Sequence, residues 1–322
     1  MPYETVIGLE VHVQVRTRTK MFCACPNHFG DEPNSNVCPV CLGYPGVLPV
    51  PNAEAVRKTI AAGLMLGCKI NEFSKFDRKN YYYPDMPKNY QITQFDLPFC
   101  LGGAVPLAGK GYSGEPLPDK RIGITRIHLE EDVGKLNHFG KVSGVDFNRA
   151  GVPLMEIVSE PDMRSADEAY AYLTALKQVM QYAGISDCDM EKGQLRCDVN
   201  ISVRPFVQKE FGTKIELKNL NSFRAVHRSI LHEITRQTAA VSSGEKLRQE
   251  TRGWNDPAGE TYLMRTKENA HDYRYFPEPD MMPVEHTPEQ IAVIRYTLPE
   301  VPWVRRERFV TSTASPRTTL TS

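Results

Sequence analysis

The chain has 322 residues, 41% hydrophobic and 24% charged, with Lys+Arg 39 against Asp+Glu 39; this is ordinary globular composition, long enough for one large or two smaller domains. Zero net charge removes any whole-chain electrostatic argument for nucleic acid, so such contacts must come from local patches or other subunits. Met1-Pro-Tyr-Glu lacks a basic n-region and an apolar h-region, and no window approaches the roughly 18 apolar residues of a membrane span; the expectation is a cytoplasmic protein whose eight cysteines stay reduced and bind metal where spacing permits.

Tyr3 to Val15 reads as a strand, because Leu9, Val11, Val13 and Val15 alternate with Gly8, Glu10, His12 and Gln14. A Cys/Pro/Gly-rich excursion runs from Cys23 to Pro51, after which Asn52 caps a helix to about Leu66. Ser74 to Gln94, crowded with Lys, Arg, Tyr, Asn and Pro, reads as loops and short strands lining a site. A Gly/Pro-rich hairpin region spans Cys100 to Lys120, and Arg121 to Glu130 resumes a strand pattern. Leu154 to Val158 is a short apolar run. Ser165-Ala-Asp-Glu168 is a capping box for a helix to about Ala183.

Leu195 to Arg204 alternates again, with Arg196, Asp198, Asn200, Ser202 and Arg204 on one face; Lys214, Glu216 and Lys218 repeat the pattern. A long helix follows from Ser222 to about Ala240. Thr287-Pro-Glu-Gln290 combines an N-cap, a proline at the first helical position and a return glutamine, so a helix starts there. The segment from Thr311 has one isolated leucine and no periodicity, and reads as unfolded.

Three constellations carry chemistry. Glu10 and His12 share a strand face about 6.5–7 Å apart, close enough to converge on one hard cation. Taken alone, that pair also fits a solvated strand edge. Arg126/His128/Glu130, Arg196/Asp198/Asn200 and Lys214/Glu216/Lys218 add charged faces on further strands. A mostly antiparallel sheet with helices on one face would gather these groups on the other, where mixed acids, imidazole and guanidinium suit metal, phosphate and carboxylate together. Cys23-Ala-Cys25 and Cys38-Pro-Val-Cys41 have zinc-knuckle spacing, and four thiolates leave no open coordination position, which implies structural zinc. Cys68, Cys100, Cys188 and Cys197 have no such spacing and suit core packing. Basic and aromatic residues from Lys75 to Gln91 can grip phosphates and stack on bases or ribose, or form a plain surface loop. No Walker loop or Gly-x-Ser-x-Gly elbow is present.

Val6-Ile-Gly-Leu-Glu-Val-His-Val-Gln14, Lys75-Phe-Asp-Arg-Lys-Asn-Tyr-Tyr-Tyr-Pro-Asp85, His128-Leu-Glu-Glu-Asp-Val-Gly-Lys135, Pro153 to Asp162, Leu195-Arg-Cys-Asp-Val-Asn200, Glu216-Leu-Lys-Asn-Leu-Asn-Ser222 and Asp272 to Asp280 together resemble the GatB family, the B chains of bacterial aspartyl/glutamyl-tRNA amidotransferases, from about residue 3 to about 310. The resemblance implies an α+β fold: a glutamine-synthetase-like cradle over residues 1–290, then a helical domain beginning at 291–310. It implies ATP- and Mg²⁺-dependent activation of the side-chain carboxylate of misacylated Glu-tRNA(Gln) or Asp-tRNA(Asn). The amide nitrogen would be ammonia from the partner amidase chain, and a third, small chain would hold the heterotrimer together. Carried onto matching positions, Glu10, His12 and Glu131 are expected Mg²⁺ ligands, with Asp198 and Glu216 as further candidates. Lys79, Glu131, Arg196 and Arg204 are expected in catalysis. Lys79, Arg196, Lys214 and Lys218 are expected to bind the nucleotide. Cys23, Cys25, Cys38 and Cys41 match a zinc site that only some family members have.

The family continues beyond Arg306-Glu-Arg-Phe-Val310 through a helical domain into a tRNA-gripping tail domain. Codons for Thr311 to Leu320 can be chosen that spell the usual continuation two nucleotides later. Residues 311–322 are therefore expected to be a frameshift product or sequencing error. Two rival readings are a non-catalytic zinc-containing tRNA-binding module and a ligase acting on a free amino acid.

Overall fold

The computed structural model describes residues 3–107, 109–266 and 272–313. In chain order, β1 (Tyr3–Gln14) leads through the cysteine-rich excursion to α1 (Ala53–Met65). Short strands follow: β2 (Lys69–Ile70), β3 (Phe73–Ser74), β4 (Asp77–Asn80), β5 (Tyr90–Thr93), β6 (Cys100–Leu101) and β7 (Ala104–Pro106). Next come β8 (Arg121–Glu131), β9 (Lys135–Phe139), β10 (Val142–Asp146), β11 (Pro153–Ser159), α2 (Ala166–Tyr182), β12 (Leu195–Pro205) and β13 (Ile215–Lys218). The chain continues with α3 (Phe223–Ser242), β14 (Glu250–Asn255), β15 (Glu260–Thr266), β16 (Phe276–Pro277), β17 (Val284–Glu285), α4 (Pro288–Tyr296) and α5 (Pro302–Thr313).

A large sheet in the order β15-β14-β13-β12-β1-β11-β8-β6-β2 dominates a mixed α/β fold. Its strands pair antiparallel except β13 with β14. Alternation decides which face is which. Leu9, Val11, Val13, Ile127, Leu129, Met155, Ile157, Leu195 and Val199 are buried in one core with Ile60 of α1, Leu173 and Leu176 of α2, and Val226 and Ile230 of α3. Each such side chain contributes about 1.5–3 kcal/mol, and a one-residue slip would turn the whole set to the other face. Register is thus fixed: His12 lies opposite Arg196 and Glu156, Glu10 opposite Asp198, and Glu156 opposite His128.

The helix starts are capped locally. Asn52 accepts from the Glu54 and Ala55 amides at 3.0 and 3.2 Å, and Ser222 accepts from Ala225 at 3.0 Å. Thr287 and Gln290 form a reciprocal capping box. The expected box at Ser165 is only half made: Ser165 accepts from the Glu168 amide, but Glu168 turns to Lys120 and the Arg164 amide. Cys68, Cys100, Cys188 and Cys197 are buried. Helix α5 reaches Thr313, so the first three residues of the segment expected to be unfolded are helical; residues 314–322 lie outside the described residues. No helix among the described residues is long and apolar enough to cross a membrane.

A three-stranded sheet, β16-β4-β5, lies against the end of β8. Gln91 donates to the Glu131 carbonyl at 2.7 Å, and Thr93 donates to the Glu130 carboxylate at 2.9 Å. The segment Asp272–Asp280 is strapped to β4 by Asn80, which donates to the carbonyls of Tyr273 and Arg274, and by the bidentate Arg78–Glu278 pair at 2.6 and 2.8 Å.

Candidate active site

The polar face of the large sheet gathers two acidic groups. In the first, His12 Nε2 lies 3.3 Å from Glu156 Oε2 and 4.0 Å from Glu130 Oε1. His128 Nε2 sits 3.4 Å from Glu130 and 3.5 Å from Glu156. Donor atoms of His12, Glu130 and Glu156 all fall within 4.8 Å of one another. Burial opposes charge on the carboxyls, but His128, His12 and Lys79 hold Glu130 and Glu156 below the usual carboxylate range. Burial would likewise lower His12, yet Glu156 and Glu130 outweigh it and raise its pKa.

In the second group, Glu10, Asp198 and Glu216 also bring their oxygens within 4.8 Å. Asn200 donates to Glu10 and Thr251 to Glu216, both at 2.8 Å. Lys218 is ion-paired with Asp198 and lies 3.3 Å from Glu216. Burial works against its charge, but these two carboxylates raise its pKa, so its ammonium now does what a bound cation would do for the three acids. Glu10 and His12 are successive same-face residues of β1, so the two groups stand about 7 Å apart.

Where one metal group of Glu10, His12, Glu131, Asp198 and Glu216 was expected, the fold makes two groups and leaves Glu131 in neither. Neighbours on a strand point to opposite faces. Glu130 therefore faces His12, while Glu131 turns away, pairs with Lys88 and accepts from the Ile92 amide at 2.9 Å. The alternation of Arg126, His128 and Glu130 already carried that information. Glu156 was concealed in an apolar run; a lone acid at a period-2 position of a buried strand is the signal, because a buried charge must be partnered.

Lys79, on β4, reaches the first group from above. Burial opposes its charge, but Glu130 and Glu156 raise its pKa. It makes no ion pair with a described residue, and its Nζ rests 4.9 Å from the Tyr273 ring centroid. Arg196 is held 2.9 Å from Asp132, which also accepts from Gln14 at 2.9 Å. Gln14 and Arg196 line a cleft of about 580 Å³ together with Arg16, Lys135, Arg149 and Lys192. Arg204 does not join the groups. It lies eight residues from Arg196 on β12, roughly 26 Å away, and pairs with Glu4 at 2.7 Å. Lys214 is exposed just before β13 starts.

The four thiols of Cys23, Cys25, Cys38 and Cys41 also lie within 4.8 Å of one another. Burial raises Cys25 to about 11, while the Cys23 thiol, the Cys38 amide and Lys20 bring Cys41 down to about 5 against the effect of burial. The Lys20 ammonium is fully buried, 3.7 Å from the Cys41 sulfur. A thiolate is the ligand form a metal takes, so the donor set fits tetrahedral zinc.

The GatB/GatE catalytic domain matches residues 5–292. The chain belongs to this family. Among curated GatB-type relatives, the B chain of the aspartyl/glutamyl-tRNA(Asn/Gln) amidotransferase of Methylacidiphilum infernorum is 57% identical over 314 residues, covering 96% of this chain and 65% of that protein. Its namesake in Carboxydothermus hydrogenoformans is 56% identical over 313 residues, covering 96% and 64%. The one in Picosynechococcus is 53% identical over 316 residues, covering 96% and 64%. The chain thus spans about 65% of the length of such GatB relatives.

Proposed function

We propose that this chain activates the side-chain carboxylate of misacylated Glu-tRNA(Gln) or Asp-tRNA(Asn) with ATP, as the catalytic part of the GatB chain in a tRNA-dependent amidotransferase. The observation that carries the reading is the placement of His12/Glu130/Glu156 and Glu10/Asp198/Glu216 one strand step apart on one sheet face, with Lys79 and Lys218 beside them. In this reading the sheet is the floor of a glutamine-synthetase-like cradle, and residues beyond about 290 begin a helical part. Each acidic group would hold one divalent cation, Mg²⁺ by its oxygen-rich ligands. When bound, such ions neutralise phosphate charge and align the nucleotide.

The chain's own residues do the rest. Lys79, free of carboxylate pairing among the described residues, meets the transferring phosphoryl group. Arg196, held by Asp132, faces the cleft that receives the aminoacyl end. The substrate carboxylate oxygen attacks the γ-phosphorus, ADP leaves, and an acyl phosphate forms. Ammonia from the partner amidase chain then attacks the carbonyl carbon, phosphate departs with the electron pair of the C–O bond, and the nitrogen gives up one proton to the departing phosphate or to water. A third, small chain would complete the heterotrimer. Zinc on Cys23, Cys25, Cys38 and Cys41 would be structural.

The test is transamidation in the complete assembly. His12→Ala, Glu130→Ala and Glu156→Ala each lose activity on the order of 10²-fold or more. Full activity in all three would end the proposal. Product formed from a free amino acid without charged tRNA would favour the ligase reading, and no ATP turnover at all would favour the binding module.

A further inference from the structure

Lys20 is fully buried, yet among the described residues it makes no ion pair with a carboxylate. Lysine almost never sits wholly inside a fold without a partner, and an ammonium in that position has to meet negative charge nearby. Its Nζ has two contacts, the Cys41 sulfur at 3.7 Å and the Phe147 carbonyl at 3.2 Å. The carbonyl offers a dipole. The charge has to come from the sulfur cluster.

The need is mutual. Four thiolates around one Zn²⁺ leave two negative charges uncompensated. Cys23, Cys25 and Cys38 are half-buried, so water stabilises their share, whereas Cys41 is buried. The Cys38 amide gives the Cys41 sulfur a dipole at 3.2 Å, and Lys20 alone brings it a full positive charge from within the fold. We infer that Lys20 is the internal counter-cation of the four-cysteine zinc centre, a positioning residue that stabilises the centre at the corner water does not reach.

The backbone holds Lys20 in that place. Its amide donates to the Cys25 carbonyl at 2.9 Å, the next amide, of Met21, donates to the Gly151 carbonyl at 2.7 Å, and Asn52 donates to the Lys20 carbonyl at 3.2 Å. The stem runs past Gly151, where a Cβ would lie 3.4 Å from both Lys20 Cδ and Cys41 Cβ. Through the Phe147 carbonyl the ammonium also ties the centre to the segment that carries Asn148 and Arg149 into the wall of the cleft. The loop between the two cysteine pairs is stitched to the same segment, with Asn34 donating to the Val145 carbonyl at 3.0 Å and the Asn36 amide to Asn148 at 2.8 Å. The zinc centre thereby fastens one wall of the cleft, and Lys20 joins the two.

This inference rests on the reading of the four cysteines as a zinc site, and the experiment separates the two. Zinc affinity of the 322-residue chain is measured by competition with a chromophoric chelator for wild type, Lys20→Met, which keeps the volume of the stem, and Lys20→Gln, which keeps a neutral N–H donor. Both variants bind zinc about 10- to 100-fold more weakly, and both lose more Tm zinc-loaded than metal-free. With Co²⁺ in place of zinc, the sulfur-to-cobalt charge-transfer band moves to longer wavelength in both, because a thiolate without a neighbouring cation gives up its electron more easily. A Lys20 that only fills space would lower the Tm of both forms equally and leave affinity and band in place, which overturns the proposal. Wild-type affinity in Lys20→Gln would mean that a hydrogen bond acts there and not a charge, and overturns it as well. If wild type takes up no zinc, the zinc reading fails and the role of Lys20 falls with it.

Discussion

Glu130 and Glu131 are adjacent, both buried, and opposite in consequence. Glu131 forms an ion pair with Lys88 in which the side chains are 3% and 6% exposed, and it also accepts from the Ile92 amide. Glu131→Ala leaves a buried ammonium without its counter-charge, which costs about 3–5 kcal/mol. At roughly 2.1 cal/mol/K of unfolding entropy per residue, that lowers Tm by about 4–7 °C for a chain of this length. Replacing both partners, as Glu131→Leu with Lys88→Met, removes the charge problem and restores most of the loss. Glu130→Ala instead abolishes Mg²⁺ binding; because His128, Lys79 and Thr93 also partner Glu130, the metal-free chain is destabilised as well, so Mg²⁺ affinity rather than stability separates the two carboxylates. Thermal and urea unfolding of the four proteins, with Mg²⁺ titration in parallel, measures this. Loss of Mg²⁺ binding in Glu131→Ala but not in Glu130→Ala, or no recovery in the double variant, would refute the assignment of these two carboxylates to opposite faces.

Asn52→Ala removes a cap that satisfies two amides of α1 and also ties the helix start to the Thr19 carbonyl, so urea unfolding should show a loss of about 1–2 kcal/mol. Gly212→Ala forces the 206–212 turn off β12 and should cost about 1–3 kcal/mol in the same assay. Chelation of metal should release one zinc per chain, expose four thiols to alkylation together, and lower Tm; thiols that react while the metal stays bound would contradict the four-cysteine site. Arg196 and Arg149 hold Asp132 below the usual carboxylate range despite its burial. Its folded pKa is thus depressed, so its contribution is complete above the unfolded value of about 3.9 and is lost as pH falls through the folded one. Asp132→Asn should flatten that acid limb in pH-dependent unfolding.

The sequence by itself determined the alternating strands, because a period-2 apolar pattern in β1, β8 and β12 has only one way to bury its greasy side. It also determined the caps at Asn52 and Thr287, and the cysteine pairs at 23/25 and 38/41, all of which act over a few residues. What the tertiary structure decided is which polar faces meet. Register of β1 against β11 and β12, more than a hundred residues away, and of β11 against β8 put Glu156 and Glu130 with His12 and split the acids into two groups. Those outcomes follow from long-range pairing, whose energy comes from the buried face shared by the helices, and local sequence carries no record of which strand lies alongside which.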